Sequence, residues 1–158
     1  MATKELLFMD GMPPWIDIAL KEVGQKEIKG DEDNPRIIEY HSATKLKATE
    51  DEVPWCSSFA NWCMKIAGLI GTSSAAARSW MSWGYPCSEP VKYCVVILRR
   101  GSKSWQGHVG FLMDWDDREI RVLGGNQKDS VSFQTFKRTD VLGYRWPKKE
   151  YILVQKNN

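Results

Sequence analysis

The chain changes grammar at Pro90, and that change limits the folds open to it more than any other feature. Before Pro90, apolar residues recur at helical spacing; after it, they alternate. The two kinds of segment are segregated rather than interleaved, which argues against a βαβ repeat. The order predicts an α+β fold, with N-terminal helices packed on a roughly five-stranded antiparallel sheet.

Four helical segments are expected. Ile16, Ala19, Leu20 and Val23 follow Pro13-Pro14 at helical spacing, with Gly24 placed to end that helix. Asn34-Pro35 combines a capping side chain with a proline suited to the first helical position, predicting a second helix to about His41. Lys45–Glu52 reads as a polar loop. After Pro54, the residues Phe59, Trp62, Cys63, Ile66 and Ala67 form one apolar stripe, and Gly68 can stop the third helix. A short fourth helix is expected between Ser73 and Gly84. Strands are expected at Tyr93–Leu98, Val109–Asp114, around Ile120–Val122 up to Gly124-Gly125, at Val131–Phe136 and at Val141–Trp146, with Tyr151–Val154 a possible edge. Gly101–Gly107 is a loop, and Asp116-Asp117 a turn.

At 158 residues the sequence reads as a single domain over 1–158, its core about 13–147, large enough to fold without a metal or disulfide scaffold. A net charge of +2 does not suit a nucleic-acid binder, and no nucleic-acid partner is expected. The longest uncharged runs, Val53–Met64 and Ile66–Ala77, have twelve residues each, too short to span a bilayer, so no membrane insertion is expected. Leu6–Met9 is too brief for a secretory signal, which gives the expectation of a soluble protein folded first in a cytoplasm. Eight tryptophans are an unusual load, suited to a large core, a substrate groove, or both. Cys56, Cys63, Cys87 and Cys94 have no C-x-x-C spacing and only two histidines for company, which argues against structural zinc. Asp31-Glu32-Asp33 lacks a full calcium-ligand pattern and reads as a solvated loop. No metal and no cofactor is expected, and a monomer is.

Cys56 stands in the first turn of the third helix. Unpaired backbone N–H groups and the helix dipole there favour a thiolate. Cys63, two turns deeper on the same face, should be buried and inert. Cys56 could equally just extend the apolar stripe. His108 opens the second strand, and a turn at Asp116-Asp117 makes paired positions add to 233 or 234, setting His108 opposite Gly125 or Asn126. Cys56 as nucleophile, His108 as base and Asn126 as the amide that orients the ring would form a Cys-His-Asn triad. The plainer readings are a strand-end histidine and a glycine turn. His41 reads as a helix-end residue, Cys87 as a loop residue and Cys94 as the head of an apolar strand. Trp55, Ser57, Trp105 and Gln106 flank the two motifs and are candidate substrate-binding residues, with core packing the alternative for both tryptophans.

Pro54-Trp55-Cys56-Ser57-Ser58-Phe59 with Asn61-Trp62-Cys63 resembles the nucleophile motif of CHAP-type and NlpC-type cysteine peptidoglycan hydrolases. Gly107-His108-Val109-Gly110-Phe111 is similar to their histidine motif, and Val122-Leu123-Gly124-Gly125-Asn126-Gln127 to their third motif. Trp15-Ile16-Asp17-Ile18-Ala19, Asn34-Pro35-Arg36-Ile37, Ser74–Trp80 and Leu142-Gly143-Tyr144-Arg145 resemble a phage and prophage, endolysin-like subgroup. The resemblance implies a papain-like fold and hydrolysis of a peptidoglycan amide bond, carried by Cys56, His108 and Asn126, with bacterial peptidoglycan as partner and action at the cell wall after release. A delivered antibacterial toxin with the same chemistry, and a non-catalytic wall-binding module, are the alternatives. One departure is visible: the Pro-Gly-Asp turn usual before the first strand is replaced by Glu89-Pro90-Val91-Lys92-Tyr93-Cys94.

Overall fold

The computed structural model describes residues 11–30, 32–46 and 54–153. Leu6–Met9, Asp31, most of the Lys45–Glu52 loop and Val154 lie outside the described residues. Among the described residues three α-helices come first: α1 (Pro14–Lys21), α2 (Pro35–His41) and α3 (Cys56–Ile66). A 3₁₀ turn follows at Ala77–Ser82, where a fourth helix was expected. Six strands then form one sheet: β1 (Tyr85–Cys87), β2 (Val95–Arg99), β3 (Gly107–Trp115), β4 (Glu119–Gln127), β5 (Ser130–Lys137) and β6 (Val141–Trp146). Their order is β1-β6-β2-β3-β4-β5, with every pairing antiparallel. The fold is therefore α+β as expected, with six strands rather than about five. The extra strand, β1, is three residues long and contains Pro86, so neither length nor alternation announces it.

The helix boundaries follow their caps. The side chain of Asn34 accepts from the Arg36 N–H at 2.9 Å, and Pro35 takes the first helical position. Helix α1 ends at Lys21, short of Val23, and Gly24 follows at φ +101°. The expected edge strand at the tail is instead a 3₁₀ turn, Lys149–Tyr151, with one bridge from Ile152 to Leu69.

The core lies between the sheet and the helices. Val95 through Leu98 are fully buried, as expected of a central strand with neighbours on both sides. Helix α3 packs on β3 and β4, and an aromatic cluster of Tyr40 with Trp55, Phe59 and Trp62 joins α2 to it. The missing Pro-Gly-Asp turn is made another way. Tyr93 adopts φ +76°, its N–H donates to Leu112 O at 2.6 Å, and the Trp15 indole donates to its carbonyl at 2.9 Å. A side chain from α1 thus braces a left-handed residue where a glycine would be unstrained. Among the described residues, no helix is long and apolar enough to cross a membrane.

Candidate active site

The nucleophile candidate is set by helix packing. Cys56 is the first residue of α3, and Trp55 precedes it with its ring fully buried and its indole donating to Glu27 at 2.8 Å. Trp55 and Phe59 press on the backbone of β4 at Gly125. A Cβ there would come within 2.7 Å of both the Trp55 ring and Phe59 Cβ, so only glycine allows this approach. Trp55 therefore anchors the start of α3 from inside and has no surface for a substrate. Ser57 is likewise fully buried. Its hydroxyl donates to Ser74 O at 2.7 Å and accepts from the Trp80 indole at 2.9 Å. Both expectations of substrate contact are corrected: a position beside the nucleophile along the sequence faces inward once the helix starts there.

The polar face of α3 has a related use. Asn61 accepts from the Ser73 N–H at 2.9 Å and donates to Ser57 O and Ser74 O, tying the 71–74 segment to the helix. His41, fully buried, meets Ser58 Oγ through Nδ1 at 2.9 Å and links α2 to α3.

The base candidate arrives by strand pairing. In the β3–β4 hairpin the pairs beside the turn, Asp114 with Arg121 and Trp115 with Ile120, add to 235, one more than expected; an irregularity between Leu112 and Asp114 then shifts the ladder, so that Leu112 with Val122 and Phe111 with Leu123 add to 234. That register extrapolates to Asn126 opposite His108. The ladder breaks before reaching it: Asn126 takes φ +56°, and β4–β5 pairing shifts between Gly124 and Gln127. The left-handed residue re-aims the chain. The side chain on His108 is consequently that of Gln127, with Oε1 2.9 Å from Nε2. Asn126 is half-buried and borders a cavity beside the ring. The expectation of Asn126 as the amide on the histidine is corrected by one residue.

The surroundings fix the direction of this bond. Gln127 Nε2 donates to Ser132 O at 2.7 Å and to Val122 O at 3.2 Å, so the amide nitrogen is engaged and the oxygen faces the ring. An amide oxygen only accepts, so His108 Nε2 carries the proton and donates. In the neutral ring, Nδ1 then holds the free lone pair. Gly124 makes room for the arrangement, since a Cβ there would lie 2.7 Å from Gln127 Oε1. Phe136 on β5 packs near the imidazole face, with ring centroids 5.3 Å apart.

Cys56 and His108 are both buried, each 5% exposed, and close enough for each to perturb the ionisation of the other. With Nε2 taken by Gln127, Nδ1 is the nitrogen left for the thiol. Burial by itself would push the Cys56 thiol up, but the His108 hydrogen bond and charge, with the backbone N–H groups of Val109 and Ser57, bring it below its ordinary value. Burial would lower His108, but the bond to Cys56, the thiolate charge and the bond to Gln127 raise it, against a smaller opposing effect of Arg100. Both shifts favour a thiolate–imidazolium pair. Cys63 is the internal contrast: burial, then the Glu22 charge, push its thiol well up. Burial also holds Cys94 up at about 12.

Of the two remaining candidates, Trp105 is 69% exposed in the loop before β3. Gln106 is a loop staple: its carbonyl accepts from Arg78 Nε at 2.7 Å and its side chain from the Lys103 N–H at 3.3 Å. Among the described residues no group of His, Cys, Asp and Glu is arranged to hold a metal ion.

A helix whose first residue is a cysteine, lying across an antiparallel sheet that presents a histidine, defines a papain-like cysteine hydrolase architecture. The CHAP domain pattern matches residues 48–126, half of the sequence, and the chain belongs to the CHAP domain family. The match includes Cys56 and His108 and stops one residue before Gln127. CHAP domains are in general amidases or peptidases of peptidoglycan, and that general activity comes with the family. No curated protein matches the sequence.

Proposed function

We propose that the chain hydrolyses an amide bond of bacterial peptidoglycan, with Cys56 as nucleophile, His108 as general base and then acid, and Gln127 as the residue that orients the imidazole. The observation that carries this reading is structural: a buried cysteine at the first position of α3 faces a buried histidine whose Nε2 is held by Gln127 Oε1 at 2.9 Å, and the Cys56 thiol is accordingly drawn below its ordinary value and His108 above its own. Burial alone would move each the other way, so the pair is built to ionise together.

In the reaction, the Cys56 proton passes to His108 Nδ1 and the thiolate attacks the amide carbonyl, forming a C–S bond. The Cys56 N–H, at the first position of α3, is a donor suited to the developing oxyanion. His108 gives its proton to the leaving amine as the C–N bond breaks. Water, deprotonated by the same nitrogen, then cleaves the thioester and restores the thiol. Gln127 Oε1 accepts from Nε2–H in the neutral ring and in the imidazolium, so the ring keeps one orientation throughout. Trp105, exposed three residues before His108, suits the flank of a glycan or peptide groove.

The resemblance of the flanking motifs to phage and prophage proteins supports a lytic role, with release from the cytoplasm to the wall. A delivered toxin would use the same residues, and a neighbouring holin or immunity gene separates the two settings. A wall-binding module without catalysis is disfavoured by the contrast between Cys56 and Cys63, since a dead site has no need of a thiol so favoured for ionisation. The test is digestion of purified sacculi. Wild type should release soluble muropeptides and Cys56→Ala should release none; equal rates would overturn the mechanism. Mass spectrometry of the fragments identifies the bond.

A further inference from the structure

On the side of His108 where Asn126 and Gln127 stand, a cavity of about 230 Å³ opens to solvent. It is smaller than the usual drug-sized site of about 300–1,000 Å³, and suits one amino-acid side chain rather than a sugar pair. Three cations border it. Arg99 and Arg100 come from the end of β2, and Lys128 from the β4–β5 turn; Asn126, Gln134 and Phe136 complete the wall. Among the described residues no carboxylate lines it. Arg99 is steadied by Asp140 Oδ1 at 3.3 Å and Thr139 O at 3.2 Å. No ion pair of Arg100 or Lys128 is found among the described residues, and both side chains are exposed.

The turn that carries Lys128 is unusual. Lys128 and Asp129 sit at φ +52° and +60° between the paired Gln127 and Ser130, a two-residue hairpin turn that normally takes Asn-Gly or Asp-Gly. Lysine is a poor choice for that backbone, yet it stands here at the border of the cavity.

We propose that this cavity is a subsite for a free carboxylate on the substrate peptide, one residue or so from the scissile amide. The proposal rests on the reading of the chain as a peptidoglycan amide hydrolase. A guanidinium fork matches a planar carboxylate bidentately, and an ammonium and two carboxamides complete the donor set. The site also communicates with the chemistry. Arg100 opposes protonation of His108, so an anion beside Arg100 relieves that opposition and favours the imidazolium. A peptide with its carboxylate free would thus be both held and helped, while the amidated peptide would lose both effects.

The test has two arms. In the first, full-length Cys56→Ser protein is titrated with N-acetyl-D-glutamate, with its diamide and with inorganic phosphate, following the side-chain NMR signals of Arg100, Asn126 and Gln134. Saturable shifts with the glutamate, at least tenfold weaker with the diamide and with phosphate, are expected, and Arg100→Gln/Lys128→Gln should abolish them. Equal binding of phosphate, or unchanged binding by the double variant, overturns the proposal. In the second arm, two synthetic stem peptides differing only in a free or amidated carboxylate are compared. Wild type should favour the free acid at least tenfold in kcat/KM, and the double variant should show less than a twofold preference, the change falling on KM for the acidic peptide. An indifferent wild type refutes the subsite. If neither peptide nor sacculi are cleaved, the enzyme reading fails, while the binding arm still decides the cavity.

Discussion

Replacing Gln127 by alanine separates the two amides that follow Gly125. The Gln127 side chain is 2% exposed and makes three hydrogen bonds: from His108 Nε2 at 2.9 Å, and to Val122 O and Ser132 O. Truncation leaves the imidazole N–H buried without its acceptor and vacates the space above Gly124. A hydrogen bond to a charged group contributes about 1.5–3 kcal/mol, and the imidazolium is the charged state here, so kcat/KM should fall roughly 10- to 150-fold. Stability should fall by about 1–3 kcal/mol, or roughly 2–4 °C of melting temperature per kcal/mol. A second signature distinguishes orientation from mere destabilisation. Gln127 is one of the groups that raise His108, so its loss lowers His108 and moves the alkaline limb of the pH–rate profile to lower pH. The control is Asn126→Gly, which removes the side chain while tolerating φ +56°. On a small amide substrate lacking a carboxylate, this variant should stay within threefold of wild type. Kinetics on such a substrate, with thermal melts of each variant, would refute the reasoning if Asn126→Gly were crippled and Gln127→Ala were nearly normal.

The remaining expectations can be measured together. Iodoacetamide should alkylate Cys56 below the usual thiol range and far faster than Cys63, because their shifts from the ordinary value have opposite signs; site-resolved mass spectrometry reads this, and equal slow labelling would contradict the ion pair. The kcat/KM profile should be bell-shaped, rising as Cys56, whose thiol lies below its ordinary value, ionises and falling as His108, which lies above its own, loses its proton, the two limbs belonging to the coupled pair. Gly125→Ala should lower stability by about 1–3 kcal/mol and lower activity further, since the new methyl must push α3, and Cys56 with it, away from β4; normal activity on melting-corrected protein would argue against that packing. Trp105→Ala should leave the unfolding free energy within about 0.5 kcal/mol of wild type yet raise KM for sacculi, whereas Trp55→Phe should cost about 1 kcal/mol through the lost bond to Glu27 and leave KM unchanged.

Much of the architecture was legible before any coordinate. Asn34-Pro35 marks its own helix start, the stripe from Phe59 to Ala67 marks the longest helix among the described residues, and the Asp116 turn marks the hairpin of β3 and β4, although an irregularity between Leu112 and Asp114 shifts its register by one. Those features are local: a cap, a period and a turn act over a few residues, so the order of side chains along the chain suffices to read them. The meeting of Cys56 with His108 was also within reach, because one stands at a helix start and the other at the start of a counted strand.

Tertiary structure alone decided the rest. Whether Asn126 or Gln127 reaches the imidazole depends on a left-handed residue that breaks the alternation, on the absence of a Cβ at Gly124, and on two carbonyls that hold the amide nitrogen. Whether Trp55 and Ser57 face a groove or the core depends on how closely α3 approaches Gly125, on Glu27 as acceptor for the Trp55 indole, and on what the 71–80 segment offers the Ser57 hydroxyl. A period of two or of 3.6 tells which residues share a face, not which face another element will cover. That is settled only when helix and sheet close on each other, and here the contact that settles it is a tryptophan ring against the bare backbone of a glycine.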